Sequence, residues 1–379
     1  MLLLGTIEGV ETTDPHVRDQ LCLSMVSGVG PLMIQRLLSH FGSAGAALTA
    51  SVGELTCVPG VGPTLAKRIA VARGEIDVDA QLRIASENNI AILTPASANY
   101  PTLLKEIPDP PGVLFIRGEL KEIDGLAVAI VGTRHASRYG LKQAETLGGS
   151  LARAGFTVVS GMARGIDTAA HRGALQENGR TIAVLASGVL APYPPENKNL
   201  ADEIAECGCV VSEAPPTMPP ISGMFPQRNR IISGMTLGTI VVEAADRSGA
   251  LITARHAGEQ NRQVFAVPGQ VDNRSASGTN RLIRDGARLV TSVEDVVEEL
   301  GPLAQTTRRE DGTTIRSPAE LALNEIETQV LQAIETSGSL VDEITVNTEL
   351  PVQRVLATVS VLEMRGLVRK ASGNRVVRL

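Results

Sequence analysis

Between Ala127 and Gly258 the chain runs three times from an apolar strand into a turn rich in glycine, serine and arginine, and on into a helix. The stretches read AVAIVGTRHASRYG (Ala127 to Gly140), TVVSGMARGIDTAAHRGAL (Thr157 to Leu175) and GTIVVEAADRSGALITARHAG (Gly238 to Gly258). A β-branched run followed at once by glycines and a helix start brings free backbone N–H groups and a positive helix end to one place. Such a place receives phosphate. Two of the turns also carry an arginine, Arg134 and Arg164, suited to planar, charge-assisted phosphate contacts. Several phosphate sites along one groove fit a polynucleotide better than a small cofactor.

Strands are expected at Val128–Val131, Thr157–Ser160, Ile182–Ala186, Val210–Ser212, Thr239–Glu243 and Val264–Val267, with helices between them. Apolar throughout and evenly spaced, they predict a parallel sheet covered on both faces. Upstream, IAILT and VLFIRG read as strands separated by a helix over Asn99 to Ile107. Downstream, a short strand near Leu289 and a helix over Val293 to Leu300 close the domain. The fold class is α/β, an extended Rossmann-like parallel sheet core flanked by an N-terminal helical unit and a C-terminal winged helix.

The N-terminal unit contains a repeat. Val26 to Leu38 reads VSGVGPLMIQRLL and Val58 to Ala70 reads VPGVGPTLAKRIA, an offset of 32 residues with six of thirteen positions identical. Each copy has a Gly-Val-Gly turn, a proline in the first helical turn and apolar residues at helical spacing. It resembles the helix-hairpin-helix motif (a SAM-like tandem), whose turn N–H groups grip DNA phosphates without reading sequence. Secondary DNA contacts are therefore expected at Gly28, Gly30, Gly60, Gly62, Lys67 and Arg68, with Arg36 as basic support. The competing reading is a helical packing domain that kept the turn and lost the binding.

Residues 1–20 read as a tail, 21–85 as the tandem helix-hairpin-helix domain, 86–300 as the extended Rossmann-like domain and 301–320 as a linker. Residues 321–379 read as a winged helix, with helices at Glu325–Glu335, Val341–Asn347 and Pro351–Arg365 and a basic two-strand ending around Ser372. Arg369, Lys370 and Arg375 of that ending are expected secondary contacts, to duplex DNA or a protein partner.

Net charge is −6 over 379 residues, yet Ile221 to Val290 holds nine arginines, no lysine and five acids, a local +4. The last fifteen residues hold five basic residues and no acid. Local basic faces matter more than the total for a phosphate backbone. The four cysteines lack metal-ligand spacing, so no metal is expected and reduced thiols in a cytoplasmic protein are. No window approaches the roughly 20 apolar residues that span a bilayer, and no membrane association is expected. With no Trp, three Tyr and five Phe, base stacking must rest on few side chains. Tyr139, Tyr193 and Phe225 are the candidates, each reading better as core than as a stacking platform.

There is no GxxxxGK[ST], the first turn is not GxGxxG, and the second strand ends in Ser160 rather than an acid for a ribose hydroxyl. No nucleotide cofactor is expected. VGTR (Val131 to Arg134), SGMARGIDTAAHRGAL (Ser160 to Leu175), YPPENKNL (Tyr193 to Leu200), FPQRNRIISGM (Phe225 to Met235), EAADRSGALITARHA (Glu243 to Ala257), VPG (Val267 to Gly269) and GTNRLIRDGA (Gly278 to Ala287) occur in order. Together they resemble the DNA-processing protein A (DprA/Smf) family. The resemblance implies single-stranded DNA binding at the strand C-termini, loading of a RecA-type recombinase in natural transformation, a homodimer and no catalysis. Carried over by position, Arg134, Arg164 and Lys198 are the pocket cations. The wider binding set is Gly132, Thr133, Ser160, Gly161, Gly165, Arg228, Asn229, Arg230, Ser248 and Gly249.

Other readings compete. Arg134 and Arg164 could pair with loop-end acids, Lys198 could be a solvated helix-start lysine, and Arg228 and Arg230 could clamp adjacent loops. Asp167 and His171 share a helix face, but without a Ser or Cys nucleophile Asp167 reads better as a capping carboxylate. Glu243 ends a strand where nucleotide phosphoribohydrolases of the lysine-decarboxylase-like fold carry a catalytic Glu, though their PGGxGT signature is missing. The winged helix could serve a transcription regulator, with Gln353 and Arg354 as its base readers.

Overall fold

Helix α1 (Pro15–Met25) starts where a sequence should start one: the Asp14 side chain accepts the His16 N–H, and Pro15 follows it at the first helical position. The computed structural model describes residues 14–300, 307–308, 314–315, 325–335, 338–364, 367–371 and 375–378. The first thirteen residues of the expected tail lie outside these. Its remainder is not tail, because α1 buries Val17, Leu21 and Leu23 in the helical core.

The repeat forms two equivalent units. Gly28 and Gly60 take φ of +95° and +91°, a left-handed turn that a Cβ disfavours. Each turn leads into a helix beginning with proline, α2 (Pro31–Phe41) and, after α3 (Ala44–Thr49) and α4 (Val52–Thr56), α5 (Pro63–Glu75). The identical arginines serve a reciprocal contact: Arg36 donates to the Pro59 carbonyl at 3.1 Å and Arg68 to the Ser27 carbonyl at 3.2 Å. Each helix thus latches the other unit's turn. Helix α6 (Val78–Glu87) leads to the sheet, and the helical core is continuous with Phe115, Leu185 and Val210 beneath it.

Nine strands form the main sheet: β1 (Ile90–Leu93), β2 (Leu114–Gly118), β3 (Ala127–Val131), β4 (Thr157–Ser160), β5 (Thr181–Val184), β6 (Cys209–Ser212), β7 (Gly238–Val241), β8 (Gln263–Ala266) and β9 (Arg288–Leu289). Their spatial order is β1-β2-β6-β5-β4-β3-β7-β8-β9. From β6 to β9 every neighbour is parallel, as expected. The β1–β2 and β2–β6 pairs are antiparallel, so one edge departs from that expectation. The helix expected over Asn99 to Ile107 is confined to α7 (Thr102–Lys105), starting only after Pro101, where a proline fits a helix start.

Helices α8 (Arg138–Arg153), α9 (Ile166–Gln176), α10 (Lys198–Cys207), α11 (Met224–Gly234), α12 (Ala250–Glu259), α13 (Ser277–Arg284) and α14 (Val293–Leu300) cover the sheet. Strand β3 is buried on both faces: Ala127, Ala129 and Val131 enter one core cluster, and Val128 and Ile130 the other. From β3 the chain steps outward to β4, β5 and β6, then returns to place β7 on the other side of β3. That reversal opens a crevice beyond the C-terminal ends of β3 and β7.

Two dipeptide strands, β10 (Thr307–Arg308) and β11 (Thr314–Ile315), pair antiparallel inside the expected linker, most of which lies outside the described residues. The C-terminal unit comprises α15 (Glu325–Gln332), β12 (Ser339–Leu340), α16 (Val341–Thr348), α17 (Val352–Met364), β13 (Val368–Ala371) and β14 (Arg375–Arg378). This is the expected three helices and hairpin, with its own core of Val330, Ile344, Val355, Val359 and Leu362. The turn after Ala371 lies outside the described residues.

Helices α8 and α9 pack through glycine, and a Cβ at Gly173 would stand 2.1 Å from the Glu145 carbonyl oxygen. Gly173→Ala should lower stability by about 1–3 kcal/mol, because a backbone must move to admit it. Gly74→Ala on α5, with nothing within 4 Å, should raise it by about 0.5–1 kcal/mol. Urea midpoints of the two variants against wild type check the opposite signs.

Candidate nucleic-acid interface

The crevice is a cavity of about 690 Å³ bounded by the turns after β3, β4 and β7 and by the start of α11. Gly132, Thr133 and Arg134 line it from the first turn, and Ala163 and Asp167 from the second. Phe225, Arg228 and Asn229 line it from α11, and Ser248 and Gly249 from the third turn. A smaller cleft adjoins it, sharing Arg134, Tyr193, Phe225 and Arg228 and adding Gly161, Arg164 and Pro194.

The turns hold one another. The Thr133 N–H donates to the Glu243 carbonyl at 2.7 Å, and the Thr133 carbonyl accepts from Ile166 at 3.3 Å. Gly165, at φ +76°, passes so close that a Cβ would lie 2.4 Å from the Thr133 oxygen. Asn229 donates to the Gly249 carbonyl at 3.4 Å, tying α11 to the start of α12.

Arg134 is exposed, and no carboxylate among the described residues neutralises it. Its guanidinium lies over the Phe225 ring, 5.2 Å from the centroid, and Phe225 meets Tyr193 edge to face at 5.7 Å. Phe225 and Tyr193 therefore belong to the cavity wall, where sequence reasoning preferred the core; the nearby Phe225-Pro226 helix start was the available signal. Tyr139, by contrast, lines neither cavity and donates to the Pro268 carbonyl at 3.3 Å. Arg164 is exposed and paired with exposed Glu196. The contact raises the arginine's pKa and lowers that of the glutamate. Screened by water, such a pair can exchange one anion for another. Lys198 is exposed at the first position of α10 and lines neither cavity.

Two members of the expected set are displaced. Ser160 is fully buried and its hydroxyl donates to the Ile130 carbonyl at 2.6 Å, locking β4 to β3. Arg230 is buried between Asp109 at 3.0 Å and Glu213 at 2.6 Å, facing away from the cavity. Its two carboxylates replace the phosphate that the motif implied. Arg228 borders the cavity but is buried, donating to the carbonyls of Gly161, at 2.8 Å, and Val184. It clamps the second turn to the end of β5, the alternative weighed for it.

The secondary contacts scatter. Gly30 and Gly62 cap α2 and α5 with open space before them, and Lys67 is exposed. Arg68, like Arg36, is committed to the partner turn. On the C-terminal hairpin Arg369 and Arg375 are exposed, whereas Lys370 pairs with Glu363 at 2.9 Å.

Asp167 and His171 are both buried, and of the two only Asp167 borders the cavity. Thr181 donates its hydroxyl to the Val158 carbonyl, so His171 Nδ1, 2.7 Å from that hydroxyl, carries the proton and donates to it. Nε2 is left a buried acceptor without a partner. Burial, aided by the Arg228 charge, lowers the imidazole pKa to about 3. Burial raises the Asp167 carboxyl to about 6, against the pull of Arg228 and the N–H groups of Ala163, Gly161 and Gly132.

These two groups answer acid with opposite signs. Folded Asp167 takes up its proton more readily than the unfolded chain, so its contribution is full below pH 3.8 and lost as pH rises through about 6. Unfolded His171 accepts a proton near pH 6.5 that the folded imidazole refuses, so its contribution is full above 6.5 and lost on acidification toward 3. At pH 5 the His171 loss is about 2 kcal/mol and the Asp167 gain about 1 kcal/mol. The pair should nearly cancel between pH 7 and 5 in wild type. His171→Gln should shift the difference in stability between those pH values by about 2 kcal/mol in favour of acid. Urea unfolding at both pH values reads it directly, and parallel wild-type and variant profiles would contradict it.

Residues 91–301 match the family described as DNA recombination-mediator protein A, residues 22–75 a SAM-like helix-hairpin-helix tandem, and residues 315–374 a DprA winged helix domain. Protein Smf of Synechocystis is 36% identical over 388 residues, which cover 94% of this chain and 98% of that protein. The X-ray structure of DNA processing protein A from Streptococcus pneumoniae is similar with a TM-score of 0.64 at 38% identity, over 74% of this chain and 95% of that one. DNA processing protein A from Helicobacter pylori, described for its single-stranded DNA binding mode, gives a TM-score of 0.51 at 30% identity, over 57% of this chain and 97% of that one. With the sheet, both flanking units and near full-length similarity in agreement, the chain belongs to the DNA recombination-mediator protein A (DprA/Smf) family.

Proposed function

We propose that this chain binds single-stranded DNA in the crevice between β3 and β7, largely through the phosphate backbone, and acts in DNA recombination. The observation that carries the reading is the unneutralised Arg134 guanidinium stacked on Phe225 at the wall of the cavity. A cation for phosphate and an aromatic ring that a base can contact stand together there. A base reaches such a wall only when it is unstacked and unpaired, which selects a single strand over a duplex. The volume of about 690 Å³ lies in the range of ligand pockets, roughly 300–1,000 Å³. Arg134 and Arg164 form the cationic rim, with Arg164 trading Glu196 for phosphate, and Lys198, outside both cavities, is a further contact for a longer strand. Gly132, Thr133, Gly161, Gly165, Asn229, Ser248 and Gly249 shape the floor.

Family membership supports the rest of the reading: the protein works as a homodimer and passes its strand to a RecA-type recombinase, in natural transformation or repair. The described cysteines are free thiols, which suits a reducing cytoplasm. The helix-hairpin-helix turns place Gly30 and Gly62 at the starts of α2 and α5, where a Cβ would meet nothing within 4 Å, and these helix N-termini offer a second site for phosphate. A phosphoribohydrolase reading loses support from Glu243, which is buried with one carboxylate oxygen bonded to Ser137.

Binding of a labelled oligo-dT should exceed that of its duplex counterpart. Affinity should fall with salt at a log–log slope of roughly −3 to −4, from about four to six phosphate contacts at −0.7 each. The Arg134→Ala, Arg164→Ala double variant should lose about 2–4 kcal/mol, and Phe225→Leu about 1–3 kcal/mol with an unchanged slope. Fluorescence anisotropy across a salt series tests all three. Equal affinity for duplex and an unaffected double variant would reject the site.

A further inference from the structure

A switch point in a doubly wound sheet gathers glycine turns and helix N-termini, and a phosphate is their usual occupant. Here those donors are already engaged. Asp167, the second residue of α9, is buried, and its carboxylate accepts the Ala163 N–H at 3.3 Å. The N–H groups of Gly132 and Gly161 are also directed at it, and the buried Arg228 guanidinium attracts it. Donors from two turns and an arginine therefore surround one carboxylate, which is the composition of a phosphate site.

The next helix repeats the arrangement. Glu243 Oε2 accepts the N–H and the hydroxyl of Ser137, the cap of α8, at 2.9 and 3.1 Å. Gly140 makes room for it, since a Cβ there would stand 2.1 Å from Oε2. Two acids from different turns thus stand at the N-termini of the helices that follow β3 and β4.

We propose that Asp167 and Glu243 are built-in anions occupying the phosphate positions that a free mononucleotide would take in this fold, which makes them specificity-determining residues. The proposal rests on reading the crevice as a single-strand site and states how that site refuses monomers. With the donors at the starts of α8 and α9 filled, phosphates are held at the exposed rim, chiefly by Arg134 and Arg164. Each rim contact is exposed and weak. A strand that makes several of them together is retained, and a mononucleotide that makes one is not.

Asp167 borders the cavity, so removing its carboxylate opens the inner position to solutes. Asp167→Ala should be stabilised by inorganic phosphate, with Tm rising by about 3–6 °C at ten times its Kd, and not by chloride of equal ionic strength. Wild type and Asp167→Asn, whose side chains fill the position, should show no such difference. In wild type, thymidine monophosphate should displace oligo-dT no better than potassium chloride of equal ionic strength. Saturable displacement beyond that control, or a folded Asp167→Ala indifferent to phosphate, would overturn the proposal. The wild-type competition decides alone should Asp167→Ala fail to fold. Oligo-dT titration of wild type judges the single-strand reading separately, and phosphate stabilisation of Asp167→Ala is read without DNA.

Discussion

Burying a guanidinium is costly unless every neighbour compensates, and Arg228 lies under the crevice with its compensation in place. It donates to the carbonyls of Gly161 and Val184, joining the turn after β4 to the end of β5. The Asp167 carboxylate balances part of its charge, and burial still lowers its pKa to about 10. Asp167 in turn holds the turns after β3 and β4 through their N–H groups. The positions of Arg134 and Arg164 thus follow from a buried pair at the base of the crevice. Removing one member would leave the other charge buried and uncompensated, at a cost of about 3–5 kcal/mol.

The same accounting explains how an acidic protein presents a cationic crevice. Many of the arginines that make Ile221 to Val290 basic are already paired: Arg230 with Asp109 and Glu213, Arg262 with Glu106, Arg281 with Asp246, and Arg288 with Glu298 and Glu299. The local excess of +4 therefore overstates the charge offered to DNA. Several partners lie outside the counted window, in Asp109, Glu106 and the helix α14. Arg134 lies outside that window, and among the described residues no carboxylate pairs with it.

The parts of the fold legible in the sequence were those set by local chemistry. Strands β3 to β8 stood out because a sheet covered on both faces requires uninterrupted apolar runs, and the turns stood out through their glycines. The repeat placed Gly28 and Gly60 in matching turns before any contact was known. Strand direction has no such local signature: VLFIRG reads the same whether β2 runs parallel or antiparallel to β6. Helix α1 was missed although Asp14-Pro15 is a good start signal, because the apolar spacing after it is weak. Ser160 and Arg230 were misplaced for a further reason. A motif records which residues recur near a site, and it does not distinguish those facing the ligand from those that hold the wall from behind.

That distinction also separates this crevice from a mononucleotide pocket on the same kind of sheet. Backbone N–H groups at a helix start bind one phosphate well and in one place, which suits a cofactor with a single diphosphate. A strand needs the opposite: several equivalent contacts, none strong enough to fix the register, along a path the backbone can follow. On the proposal made above, Asp167 and Glu243 take up the inner donors, and Arg134 and Arg164 stand on exposed turns. A strand bound as proposed gains affinity with the number of phosphates engaged, and Phe225 would add a contact that any base can make. On that proposal, a carboxylate at a helix start, Asp167 in α9 and Glu243 beside α8, is what turns a fold suited to small nucleotides toward a polymer.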